Sequence, residues 1–269
     1  MRPRWIALLS ASIAVLTGVL VWVAVGAGIG IGGGFPGMRG SDVDSSEFTA
    51  TEFFTVSPDG GLTPEPGERA RRVWDDLVRV TTVEFAASEI REYQVGDDAD
   101  SDTLAYVASA SDDPTKWAFA ANLAYADDAD LLLATLVHEY AHLLSLGAND
   151  ADPAATTCET EWTGAGCLRP DADLQRFADR FWSQYADAPA RDNVDADVAW
   201  DFYQAHEDDF VSDYAATNAS EDFAETFATY VMEPSGPRAG IIAEKFAFFD
   251  ALPEYAGARE RIRAEFELG

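Results

Sequence analysis

The sequence predicts an α+β fold, with a small mixed sheet in the first half of the folded domain and a helical second half. Three observations carry this expectation. Short strand-like segments lie between residues 89 and 125, a strongly apolar helix follows at 130–146, and helical patterns fill most of the chain from residue 171 onward.

The elements follow in order. Arg2 and Arg4 precede a run, residues 5–35, without a charged side chain. Its most apolar part, residues 6–25, has about the 20 residues that a spanning helix needs. Basic residues before it and acidic residues after it place the N-terminus in the cytoplasm. A cleaved signal peptide is the competing reading, although apolar regions of signal peptides usually run about 7–15 residues. Residues 1–31 are therefore expected to be a transmembrane anchor or a signal sequence, and both readings put the rest of the chain outside the cytoplasm. Residues 32–66 read as a Gly/Pro-rich and acidic linker, with a short strand-like piece at 53–56.

The folded domain is expected at 67–269. Residues 68–80 form an amphipathic pattern with Val73, Trp74, Leu77 and Val80 on one side. Strands are expected at 89–95, 104–108 and 117–125, the last two joined by a polar turn containing Pro114. The apolar helix at 130–146 opens on Asp127, Asp128 and Asp130, where capping and the helix dipole favour acids, and Gly147 and Asn149 suit its end. Further helices are expected at 171–185, 196–207, 221–231, 239–251 and 255–266, the third capped by Ser220.

Composition narrows the function classes. Hydrophobic residues make up 48% of the chain and aromatics 12%, which suits a packed core rather than disorder. The 48 acidic residues outweigh 18 basic ones, giving a net charge of −30. Without clusters of Lys and Arg the chain is no nucleic-acid binder, because phosphates require them. The acidity reads as a solvated surface. Cys158 and Cys167 are the two cysteines, and in an extracytoplasmic domain they are expected to form a disulfide closing a small loop.

Residues 138–142 read His138-Glu139-Tyr140-Ala141-His142. Positions i and i+4 of a helix share one face, so the two imidazoles can hold one zinc ion. Glu139, beside the first ligand, can serve as general base toward water on that ion. A third ligand is still needed. The HExxHxxGxxH pattern fails, because Ser145 and Ala148 occupy its glycine and third-histidine positions. Glu221 and Glu225 lie four apart on one face of a later helix, so one can bind zinc while the other supports a ligand histidine. His206, the remaining histidine, reads as a surface residue, with a ligand role as the alternative.

HExxH followed by a helix carrying ExxxE resembles the gluzincin arrangement of zincin metallopeptidases. The second segment, with Tyr214 seven residues before Glu221-Asp222-Phe223-Ala224-Glu225-Thr226-Phe227, is similar to the catalytic domain of anthrax lethal factor-like zinc peptidases. The resemblance covers these two segments, with a looser similarity in the preceding strands. It implies a zincin-like fold and Glu221 as third zinc ligand. It also implies Tyr214 as the phenol stabilising the oxyanion, and residues 117–122 as an edge strand that aligns an extended substrate. Glu225 matches a second acidic position, for which a supporting role behind the ligands is expected.

The function expected is zinc-dependent hydrolysis of peptide bonds outside the cytoplasm, with one zinc per chain and a peptide or protein substrate. Two alternatives stand beside it: a zinc-stabilised surface binding domain without catalysis, and a zinc amidase acting on cell-wall material.

Overall fold

The computed structural model describes residues 48–269, apart from 156, 164 and 237. The anchor or signal expected at 1–31, and residues 32–47 of the expected linker, lie outside the described residues. The described chain is a mixed α+β structure with a small mixed sheet and a helical C-terminal half.

Strands β1 (Glu52–Val56), β2 (Leu62–Thr63), β3 (Ile90–Gly96), β4 (Ala105–Ser109) and β5 (Trp117–Asn122) form one sheet in the order β2-β1-β3-β5-β4. β3 and β5 run parallel, and the other neighbours are antiparallel. The piece expected as a strand inside a linker is β1, paired on both sides. Phe48 is also buried, its ring 5.4 Å from that of Tyr106. The fold therefore starts upstream of Gly67. The composition of 48–66 concealed this, because only alternate residues of β1, Phe54 and Val56, face the core and the segment looks half polar.

Tyr93 organises the core between sheet and first helix. Its ring lies 5.3 Å from Trp74, 5.5 Å from Phe54 and 5.8 Å from Phe119. Its hydroxyl donates to the Ala70 carbonyl at 2.9 Å, so the buried phenol is satisfied. Trp74 and Ala70 belong to α1 (Glu68–Thr81). A helix that the periodicity did not announce, α2 (Val83–Glu89), follows directly. Thr82 separates the two with φ 122°, and its hydroxyl accepts the Phe85 N–H at 3.2 Å.

β5 leads through a 3-10 turn at Leu123–Tyr125 into α3 (Ala129–Ser145), whose first turn is capped by Asp128 accepting the Leu131 N–H at 3.1 Å. By length and composition, residues 129–150 suffice to cross a membrane, yet 67% of that apolar stretch is buried inside the protein. It is a core helix packed between the first half and the C-terminal helices.

The disulfide forms as expected: Cys158 and Cys167 are bonded, their Cα atoms 5.4 Å apart. A small sheet of β6 (Ala151–Asp152), β7 (Trp162–Thr163) and β8 (Gly166–Leu168) lies here, with β7 inside the loop that the cysteines close, Cys167 on β8, and β6 before the loop. Among the described residues five α-helices follow: α4 (Asp173–Phe181), α5 (Ala196–Ala205), α6 (Ala219–Met232), α7 (Gly240–Asp250) and α8 (Pro253–Glu265). α6 is central, packing along α3 and against α4, α7 and α8. Its Phe223 and Phe227 are fully buried among Phe249 and Tyr255, with Phe177 against Phe223.

One strand differs in place. β5, expected to be the edge, lies between β3 and β4 with all six residues buried. Among the described residues β4 is the outer strand, and it packs beside α3. The unbroken apolar run Trp117-Ala118-Phe119-Ala120-Ala121 is the mark of a strand covered on both faces.

Candidate metal centre

α3 and α6 build the centre. On α3, His138 and His142 stand one turn apart and are 5% and 1% exposed. On α6, Glu221 is 3% exposed and lies in the first turn, where the helix dipole favours an acid. That turn is capped by Asn218, not Ser220. The Asn218 side chain accepts the N–H groups of Ser220 and Glu221 at 2.9 and 3.0 Å. Asn218 with Glu221 three residues later is a start signal in its own right. Ser220, moved inside the helix, brings its hydroxyl to 3.4 Å from His142 Nδ1.

The three side chains converge. His138 Nε2 lies 3.1 Å from His142 Nε2 and 3.3 Å from Glu221 Oε2, and His142 Nε2 lies 3.4 Å from Glu221 Oε2. A four-coordinate ion with bonds of about 2.0–2.1 Å sets its ligand atoms roughly 3.3 Å apart, so the triangle has the size of a tetrahedral face. Glu221 Oε2 is buried and makes no hydrogen bond among the described residues. Burial works against its charge, but the His142 and His138 imidazoles overcome this and hold the carboxyl down at about 2. The group can hold a metal ion, and two imidazoles with one carboxylate suit a divalent transition metal.

The surroundings fix the imidazoles. His138 Nδ1 lies 2.8 Å from Glu225 Oε1, and a neutral ring that donates there turns the lone pair of Nε2 toward the ligand point. Of the two glutamates left open by spacing, the structure therefore brings Glu221 to the triangle and Glu225 behind His138. Glu139 is fully buried, and neither carboxylate oxygen has a hydrogen-bond partner among the described residues. Burial pushes its carboxyl up, despite the opposing pull of His138 and His142. The Tyr214 ring lies 6.0 Å from the His138 ring, in a 3-10 turn at Tyr214–Ala216. His206 stays apart: its Nε2 lies 3.2 Å from Asp187 Oδ2, and its ring packs against Tyr185 and Phe202.

Two features escaped the sequence reading. Ser212 donates to Glu225 Oε2 at 2.7 Å. Asp222, fully buried beside Glu221, is paired with Lys245 Nζ at 2.7 Å and accepts from Trp182 Nε1 and Thr226 Oγ1 at 2.8 and 3.0 Å. Lys245 is 1% exposed and also donates to the Asp209 carbonyl at 2.7 Å. A lysine followed directly by the aromatic-rich run Phe246-Ala247-Phe248-Phe249 in α7, in a chain with two lysines, was the available signal.

Compared with protein-family models, curated proteins and solved structures, the chain matches none.

Proposed function

We propose that the chain is a zinc-dependent endopeptidase working outside the cytoplasm, with His138, His142 and Glu221 holding one zinc per chain. The observation that carries this reading is the triangle of ligand atoms 3.1 to 3.4 Å apart, with the buried and unpartnered Glu139 carboxylate next in sequence. A zinc ion held there would supply Lewis acidity and let water lose a proton near neutral pH. Glu139 takes that proton and delivers it to the leaving amine, and a carboxyl raised by burial suits both duties. Tyr214 donates a hydrogen bond to the oxyanion that develops on the substrate carbonyl. An extended peptide pairs along the outer edge of β4. The gluzincin resemblance of 138–142 and 221–225 supports the zincin reading. The Cys158–Cys167 disulfide and the apolar N-terminal run with its basic flank support the location.

The test is metal content and turnover of the full-length chain, as wild type, Glu221→Ala and Glu139→Gln. One zinc per wild-type chain, strongly weakened binding in Glu221→Ala, and retained zinc with at least about 100-fold slower cleavage of a peptide library in Glu139→Gln are expected. Zinc with cleavage of cell-wall fragments in place of peptides would favour the amidase. Zinc with neither would favour the binding domain. A wild type that takes up no supplied zinc would sink the metal reading.

A further inference from the structure

The Ser212 hydroxyl ends a chain of hydrogen bonds that begins at Nδ1 of His138, the ring nitrogen turned away from the ligand triangle. His138 Nδ1 pairs with one oxygen of Glu225, and Ser212 Oγ donates to the other at 2.7 Å. The same Ser212 oxygen accepts the Ala215 N–H at 3.0 Å. Ala215 lies inside the 3-10 turn that carries Tyr214. One hydroxyl therefore touches both the carboxylate behind a ligand histidine and the turn that presents the phenol.

We propose that Ser212 is a positioning residue of the metal centre, holding Glu225 against His138 and tying the Tyr214 turn to the same carboxylate. The proposal rests on the metal reading above. Glu225 reaches His138 at the end of a side chain with three rotatable bonds, and a carboxylate oxygen held only by water leaves that side chain free to turn. Ser212 supplies a fixed donor on a neighbouring segment. Partners that orient a ligand imidazole typically change metal affinity by about 10–100-fold. A serine that only caps a local turn would change melting temperature and leave metal affinity alone.

The experiment uses full-length chain stripped of metal and titrated with zinc against a chromophoric chelator. Ser212→Ala is expected to weaken zinc binding about tenfold, and Ser212→Thr, which keeps the hydroxyl, to stay within about threefold of wild type. In a Glu225→Ala background, Ser212→Ala is expected to have no further effect on zinc affinity, because the hydroxyl then has no carboxylate to hold. Unchanged affinity in Ser212→Ala overturns the proposal while the metal reading stands. So does the same loss with and without Glu225. No zinc on the wild type overturns the metal reading and the proposal together.

Discussion

Replacing Lys245 with methionine removes the ammonium from a carboxylate that has no access to water. Asp222 is 0% exposed and Lys245 1%, and their charged atoms are 2.7 Å apart. The variant keeps the Trp182 and Thr226 donors to Asp222 but leaves the carboxylate without a counter-charge, and it strips the Asp209 carbonyl of its donor. Breaking one side of a buried pair costs about 3–5 kcal/mol, a large share of the roughly 5–15 kcal/mol that holds a domain folded. At about 2–4 °C per kcal/mol for a domain of this size, melting should fall by roughly 6–20 °C. The assay is urea and thermal unfolding followed by circular dichroism at pH 7, on Lys245→Met, Asp222→Asn and the double variant. The double variant should recover about 2 kcal/mol or more relative to the sum of the single losses, because no unpaired charge remains. Lys245→Met within about 1 kcal/mol of wild type, or a double variant whose loss is the simple sum, would refute the reasoning.

Three further outcomes are expected. Burial, partly offset by Arg191, raises the Glu161 carboxyl from 4.5 to about 7, so the folded state holds a proton that the unfolded chain has released. Its contribution to stability is complete below pH 4.5 and is lost as pH rises through 7. Glu161→Gln should thus leave unfolding free energies from urea titration unchanged near pH 4 and raise them above pH 7, by at most roughly 3.5 kcal/mol at about 1.4 kcal/mol per pH unit. Gly96→Ala should destabilise, because a Cβ there would meet the Phe48 ring at 2.5 Å and the Thr49 carbonyl at 2.6 Å; a cost of about 1–3 kcal/mol is expected by denaturant titration. Reducing the Cys158–Cys167 disulfide, or replacing both cysteines with serine, should lower stability by about 3 kcal/mol for so short a loop.

What the sequence disclosed divides along physical lines. Helical period places His138 and His142 together, and it needs no knowledge of the rest of the fold. The same period showed that Glu221 and Glu225 share a face, but not which one reaches the imidazoles. That choice depends on how α6 is rotated and shifted against α3, which contacts distant in sequence decide. The helix start was two residues off because Asn218 and Ser220 are both good caps, and the extended backbone at Asn218 with Glu221 three residues later selects the former. β1 is legible as a strand but reads as part of a linker, because only Phe54 and Val56 of its five residues face the core and its surroundings are acidic. Ser212 had no periodic or spacing signal at all. Its role exists only because the segment before Tyr214 folds back onto α6.

The rotation of α6 is over-determined by three unlike chemistries. An α-helix turns by about 100° per residue, so Glu221, Asp222 and Phe223 face three directions. Glu221 faces the imidazoles, Asp222 the Lys245 ammonium, and Phe223 the aromatic cluster with Phe177, Phe249 and Tyr255. Turning the helix by one residue would bring Asp222 toward the imidazoles and swing Phe223 into the place of Asp222, against the ammonium of Lys245. An apolar pair in place of Asp222 and Lys245 could be as stable, but it would tell the helix only that this face is inward. The ion pair also says which inward residue belongs there, so it fixes the direction of its neighbour Glu221. If the triangle holds zinc as proposed, the double variant that regains stability should for this reason bind zinc more weakly than wild type, which separates what holds α6 folded from what aims it.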